Sequence, residues 1–218
     1  MMQFRNRVEA GQQLAQRLVK YANRSDVLVL ALPRGGVPVG YEVAQALHAP
    51  FDVFVVRKLG VPGHEELAMG AIASGGVRVL NGDVIEGMQI PDDVIDAVAA
   101  RELRELERRE RAYRDDRPAP DVQGRTAILV DDGIATGSTM KAAVEALRQL
   151  EASRIVVATP IAALSTVGEM QTAVDELVAV MTPADFGGVG RWYEDFSQTT
   201  DEEVRDLLER ASRPSNPT

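Results

Sequence analysis

The residues best suited to chemistry lie in the stretch Ala127-Ile-Leu-Val-Asp-Asp-Gly-Ile-Ala-Thr-Gly-Ser-Thr139. Four apolar residues read as a buried strand, and two carboxylates, Asp131 and Asp132, stand at its end. A Thr-Gly-Ser-Thr turn follows and opens a helix. Such a turn offers backbone N–H groups and hydroxyls at a positive helix end, which suits a phosphate. Carboxylates suit the opposite role, since they accept bonds from sugar hydroxyls or from water on a hard cation. Anion cradle and acid pair, side by side, describe a phosphorylated sugar with a metal. There is no Gly-Lys-Ser/Thr, so this is not a Walker loop, and no Gly-x-Gly-x-x-Gly of a dinucleotide site occurs. Two further basic loops follow predicted strands: Leu32-Pro-Arg-Gly-Gly36, where glycines allow close approach to an anion, and Arg57-Lys58.

Positioning these loops requires strands that alternate with helices. Val27–Leu32, Phe51–Val56, Thr126–Val130, Arg154–Thr159 and Glu176–Met181 read as strands. Helical spacing covers 5–23, 37–48, 138–150 and 163–173, and Thr200-Asp-Glu-Glu203 opens a last helix to about 210. Residues 59–87 are Gly-rich and weakly patterned, with a short strand at 77–80. A charged helix over 92–114 carries Glu105–Arg109, Glu107–Arg111 and Glu110–Arg114 at i,i+4. Its charges read as a solvated face, and Val94, Ile95, Val98, Leu103 and Leu106 offer a seam for a homodimer. A Pro-containing linker spans 115–124. The alternation predicts an α/β fold, a parallel sheet flanked by helices on both faces, with ligands outside the carboxyl ends of the strands. Residues 1–211 read as one domain and 212–218 as a disordered tail.

Composition narrows the function. With 24 Lys+Arg against 33 Asp+Glu, the net charge of −9 argues against binding nucleic acid or an anionic membrane through bulk charge. Cysteine is absent, and His48 and His64 are the only histidines, which excludes disulfides, thiolate chemistry and multi-histidine metal sites. His48, near a helix end, reads as a surface or capping residue. No signal-peptide pattern or membrane-length apolar run occurs, so the expectation is a cytoplasmic protein. Only Lys20, Lys58 and Lys141 are lysines, which makes an isolated lysine worth inspecting.

The 127–139 stretch resembles the signature of the type I phosphoribosyltransferase family for 5-phosphoribosyl-1-pyrophosphate (PRPP); strand, acid pair and Thr-Gly-Ser-Thr all agree. The resemblance covers roughly residues 25–182. Gly133 departs from it, since the family usually carries an aliphatic residue there. What the resemblance implies is transfer of phosphoribose from PRPP to a nitrogen acceptor, with release of pyrophosphate and help from Mg²⁺. The amides of Ala135, Thr136, Gly137, Ser138 and Thr139 would hold the 5′-phosphate. Asp131 and Asp132 would hold the ribose hydroxyls and the metal, directly or through water. Arg34, Gly35, Gly36, Arg57 and Lys58 would face the leaving pyrophosphate, with Lys58 and the two acids as the catalytic set. Residues 59–87 fall where the family has a mobile loop, with His64, Glu65 and Glu66 as its polar candidates, and 59–124 would be that loop plus a helical insertion. The aromatic-bearing loop after 182, with the helix to 211, offers Phe186, Trp192, Tyr193 and Asp195 to the acceptor base; the structural alternative is an aromatic staple for the tail. Family members acting on hypoxanthine or guanine carry an Asp where this chain has Ala135, which argues against a 6-oxopurine acceptor. Two other classes stay open: a non-catalytic PRPP- or nucleotide-binding regulator on the same fold, and a phosphate-binding structural module that dimerises.

Overall fold

The computed structural model describes residues 3–114 and 117–213. Helix α1 (Arg7–Arg17) begins where the Asn6 side chain accepts from the Glu9 amide, and a short 3₁₀ turn at 19–21 follows. Then come β1 (Val27–Ala31), α2 (Gly36–Leu47), β2 (Phe51–Val53), β3 (Val56–Val61), β4 (His64–Ala73) and β5 (Val77–Leu80). The chain continues through α3 (Gly82–Gly87), α4 (Asp92–Arg114), β6 (Thr126–Val130), α5 (Ser138–Gln149), β7 (Arg154–Ile161), α6 (Leu164–Ala173), β8 (Glu176–Met181) and α7 (Asp201–Ser212). Thr200 and Glu203 close a reciprocal capping box at the start of α7.

Five parallel strands form the main sheet in the order β2-β1-β6-β7-β8. Side chains alternate across it. Leu28, Leu30, Ala127, Leu129, Ile155 and Val157 pack on α5 through Met140, Val144 and Leu147. Val27, Val29, Ile128, Val130, Val156 and Ala158 pack on α1 and α2 through Leu14, Leu18, Val39 and Val43. All five residues of β1 and of β6 are buried, as their continuous apolar runs require. From β1 the chain moves to β2 on one side and later returns to β6 on the other. The crevice outside the carboxyl ends of β1 and β6 is therefore the switch point, where open α/β sheets bind ligands.

The segment 51–87 differs from its sequence reading. The expected strand 51–56 is two strands in different sheets. The Phe54 amide still donates to the Ala31 carbonyl of the main sheet, whereas the Val55 carbonyl accepts from the Ser74 amide. A continuous apolar run carries no mark of such a transfer. Beyond it, 59–87 is largely ordered rather than a patternless loop: β3, β4 and β5 form an antiparallel sheet. Ala68, Gly70, Ala71 and Ala73 hide the strand signal because small residues have low strand propensity. At Gly70 the reason is a close approach, since a Cβ there would lie 2.3 Å from the Val79 carbonyl oxygen.

Helix α4 lies against this second sheet. Ile95, Val98 and Leu106 are buried with Leu59, Met69, Ile72 and the α7 residues Val204 and Leu208, and Leu103 packs beside them. Of the seam read as a dimer face, Ile95, Val98, Leu103 and Leu106 are thus spent within the chain. Of the expected helix pairs, Glu105–Arg109 and Glu110–Arg114 form. Residues 115 and 116 of the linker, and 214–218 of the tail, lie outside the described residues, and Ser212 belongs to α7.

Arg114 fixes α4 where the two sheets meet. Its side chain is 2% exposed and donates to Asp52 Oδ1 (2.8 Å), Glu110 Oε1 (3.1 Å) and the Val53 carbonyl (2.8 Å). Removing one partner of a buried ion pair strands the others, at a cost of about 3–5 kcal/mol. Arg114→Ala is accordingly expected to lose that much stability in urea unfolding; a loss under about 1 kcal/mol would show that the pair is solvated.

Candidate active site

After β6 the chain turns through Asp131, Asp132 and Gly133, and Ile134 bridges to Ala162. Gly137, at φ +74°, makes the sharp entrance to α5; a Cβ there would lie 2.9 Å from Thr166 Cγ2. The amides of Ala135, Thr136 and Gly137 donate to no backbone carbonyl among the described residues. Those of Ser138 and Thr139, in the first turn of α5, have no partner within the helix. Five consecutive donors thus converge at a positive helix end, with the Thr136 and Ser138 hydroxyls 3.1 Å apart beside them.

These residues line a cavity of about 180 Å³ with Asp131, Gly133, Ile134, Met140 and Lys58. Lys58 reaches it from the antiparallel sheet. Lys20 and Lys141 are paired with Glu176 and Glu169, whereas Lys58 has no ion pair among the described residues. Its neighbour Arg57 does not join it. Successive side chains of a strand face opposite ways, and Arg57 donates twice to Glu102 Oε2 of α4, at 2.7 and 3.0 Å. This corrects the reading of Arg57-Lys58 as a basic pair at a strand end: here Arg57 braces α4 and Lys58 faces the cavity.

Burial pushes the Asp131 carboxyl well above the ordinary carboxylate range, and the Asp132 charge adds to it. Asp132 is raised by burial too, and the adjacent Arg7 opposes the rise. Two desolvated carboxylates are a place where a cation is stabilising.

The Arg34-Gly35-Gly36 loop meets this acid pair. A Cβ on Gly35 would lie 2.0 Å from Asp132 Oδ2, and one on Gly36 would lie 2.7 Å from the Val130 carbonyl oxygen. The two glycines therefore allow the loop to touch the acids and the end of β6. The Arg34 side chain lies 3.7 Å from Asp201 of α7, in a cleft it shares with Arg108, Arg109 and Tyr113.

The loop between β8 and α7 behaves as a clasp. Trp192 is 7% and Tyr193 4% exposed, in a cluster with Phe4, Ala10 and Ile161. Trp192 Nε1 donates to the Phe186 carbonyl (2.9 Å), and the Tyr193 hydroxyl to the Asp132 carbonyl (2.6 Å). Asp195 Oδ1 accepts from the Ser197 amide (2.9 Å). The buried Trp192 and Tyr193 rings thus form a staple, the structural alternative to their reading as base contacts. Buried aromatics with a satisfied polar tip serve either role, and sequence does not distinguish them. The clasp also accounts for Gly133: a Cβ there would lie 2.4 Å from Val189 Cγ1. Sequence reasoning missed Arg7, which bonds Asp132 from 125 positions away. One arginine in a charged N-terminal helix carries no signal of that contact.

His64, Glu65 and Glu66 lie at the exposed start of β4, with His64 Nδ1 3.7 Å from Glu66. His48 is the left-handed C-cap of α2.

At the parallel-sheet switch point an anion loop thus lies beside an acid pair. The chain belongs to the phosphoribosyl transferase domain family, whose family model matches residues 3–189. It is 49% identical over 213 residues to a Mycobacterium tuberculosis (strain H37Rv) protein provisionally named a phosphoribosyl transferase, covering 98% of this chain and 48% of that protein. The chain thus spans about half the length of the curated relatives it matches. The crystal structure of TT1426 from Thermus thermophilus superposes with a TM-score of 0.86 at 40% identity, over 97% of this chain and 100% of that one. The AQ2163 protein from Aquifex aeolicus shares the fold at a TM-score of 0.50 and 14% identity, over 96% and 87% of the two chains. No helix among the described residues is long and apolar enough to cross a membrane.

Proposed function

We propose that this chain transfers 5-phosphoribose from PRPP to a nitrogen acceptor other than a 6-oxopurine, with pyrophosphate as leaving group. The observation that carries the reading is the cavity uniting five free amides of the anion loop, Asp131 and an unpaired Lys58. The amides of 135–139 hold the 5′-phosphate, and Asp131 and Asp132 accept from the ribose hydroxyls. As the bond to pyrophosphate breaks, positive charge grows on the ribose ring and negative charge on the leaving group. The acids favour the first, and Lys58 with the Arg34 and Gly35 amides, which donate to no backbone carbonyl among the described residues, favours the second. Much of the rate enhancement is positioning.

Mg²⁺ fits here only as part of the substrate. No group of three His, Cys, Asp or Glu side chains suited to a metal occurs among the described residues, and a hard cation takes about six oxygens. Asp131 and Asp132 would contribute to a shell otherwise made of water and PRPP oxygens. The ion supplies neutralisation of the leaving pyrophosphate.

Ala135 is exposed at the anion loop and offers no carboxylate to a purine N7. A 6-oxopurine would lose a charge-assisted contact in a closed site. The test is a panel of nucleobases and simple amines with PRPP and Mg²⁺, read by pyrophosphate release, for the parent and Asp131→Asn. Expected are turnover with a pyrimidine, adenine or an amine above that with hypoxanthine, guanine or xanthine, and PRPP binding weakened about tenfold or more in Asp131→Asn, for one charge-assisted bond of about 1.5–3 kcal/mol. Guanine or hypoxanthine as best acceptor would overturn the acceptor class. Equal PRPP affinity in the variant would overturn the site.

A further inference from the structure

One charged side chain buried beside the acid pair has no part in this chemistry. Arg7, the first residue of α1, donates through Nε to Asp132 Oδ2 at 2.8 Å, and the two side chains are only 12% and 13% exposed. The same guanidinium donates through Nη1 to the Ser197 carbonyl at 2.7 Å. Its carbon lies 4.0 Å from the Phe196 ring centroid and 5.9 Å from that of Tyr193, whose hydroxyl bonds the Asp132 carbonyl. Paired backbone bonds, Phe4 to Trp192 and Glu194 to Phe4, fasten the chain before α1 to the clasp. Arg7 is thus gripped by the clasp and grips Asp132 in turn. Asp132 Oδ1 accepts no hydrogen bond among the described residues.

We infer that Arg7 is a positioning residue: by fixing one oxygen of Asp132 against the clasp, it holds the other in place for a ribose hydroxyl of PRPP. The inference rests on the reading above, in which Asp132 meets the ribose. Two bonds from one planar fork, plus a ring stacked on its face, define the guanidinium in all directions. A lysine would bring the charge without the second bond or the stack. An unpinned carboxylate would rotate about its side-chain bonds, and a displacement of about 1 Å in a positioning group can cost as much as 10²-fold. Arg7 meets Asp132 from the clasp and does not line the cavity that the neighbouring Asp131 shares with Lys58 and the anion loop.

The experiment is calorimetric titration of the parent, Arg7→Gln, Arg7→Lys and Phe196→Ala with three ligands: Mg²⁺–PRPP, ribose 5-phosphate and pyrophosphate. The first two carry the ribose hydroxyls and the third does not. Expected for Arg7→Gln is about tenfold weaker binding of PRPP and of ribose 5-phosphate, with pyrophosphate unchanged within about twofold. Arg7→Lys recovers part of the loss. Phe196→Ala, on an exposed ring, keeps the ion pair and shows a smaller loss with the same ligand pattern, which holds the test open if Arg7→Gln does not fold. Equal losses for all three ligands would make Arg7 a purely structural residue, and no loss would remove it from the site; either overturns the inference. A parent that binds neither PRPP nor ribose 5-phosphate overturns the functional reading, and this inference with it.

Discussion

Lys58→Ala is expected to lower turnover by about 10²–10³ while raising the apparent KM for PRPP by less than about tenfold. Removing one donor that meets charge developing in the transition state costs about that much. Lys58 is placed for such a role. It is exposed on β3, opposite Ala71 of β4, and free of ion pairs among the described residues. It lines the same cavity as Asp131 and the anion loop. It also lines a groove of about 490 Å³ between the antiparallel sheet and α5, which leaves the side chain room to follow the leaving group. The measurement is steady-state kinetics with the acceptor found in the panel. A variant with unchanged turnover and a raised KM would place Lys58 in uniform binding of the substrate instead.

How Lys58 reaches the cavity shows where the sequence was legible. The strand-and-loop signal of 127–139 was strong because an all-apolar strand, two acids and a Thr-Gly-Ser-Thr turn are local features, and the fold needs them contiguous. The parallel sheet followed from alternation of strands and helices, each spanning whole apolar runs. Lys58 itself was legible, but on a wrong scaffold. The run 51–56 hides a change of sheet that depends on which carbonyl the Phe54 amide meets, and that is a tertiary fact. Beyond the Arg34-Gly35-Gly36 loop, the acid pair's surroundings were not legible. Arg7, Val189 and Tyr193 come to Asp132 and Gly133 from both ends of the chain; Arg7 and Val189 read alone as ordinary helix and loop residues, and Tyr193 reads as a base contact. Gly133 was visible as a departure from the family pattern. Its partner Val189 could be named only once the clasp had a place.

The same crowding yields the second large effect, at Gly35. Its backbone is ordinary right-handed helical (φ −59°, ψ −33°), so alanine meets no conformational penalty there. The obstacle is steric: the new Cβ would lie 2.0 Å from Asp132 Oδ2 and 2.7 Å from its Cγ. A free carboxylate would swing aside at little cost, but this one is tied to Arg7, so relief requires breaking that bond or moving the loop. Gly35→Ala is therefore expected to weaken PRPP binding more than tenfold and to cost about 1–3 kcal/mol of stability, the range for overpacking a fitted site. Gly124→Ala is the control. At φ +70°, with nothing within 4 Å of the added carbon, it carries strain and no collision. It should lose about 1 kcal/mol and leave PRPP affinity alone. Calorimetry with Mg²⁺–PRPP and urea unfolding of the same preparations separate the two cases. If Gly35→Ala bound PRPP as the parent does, the Asp132 carboxylate would have to be free to leave Arg7, and the close contact between the two loops would have no part in binding.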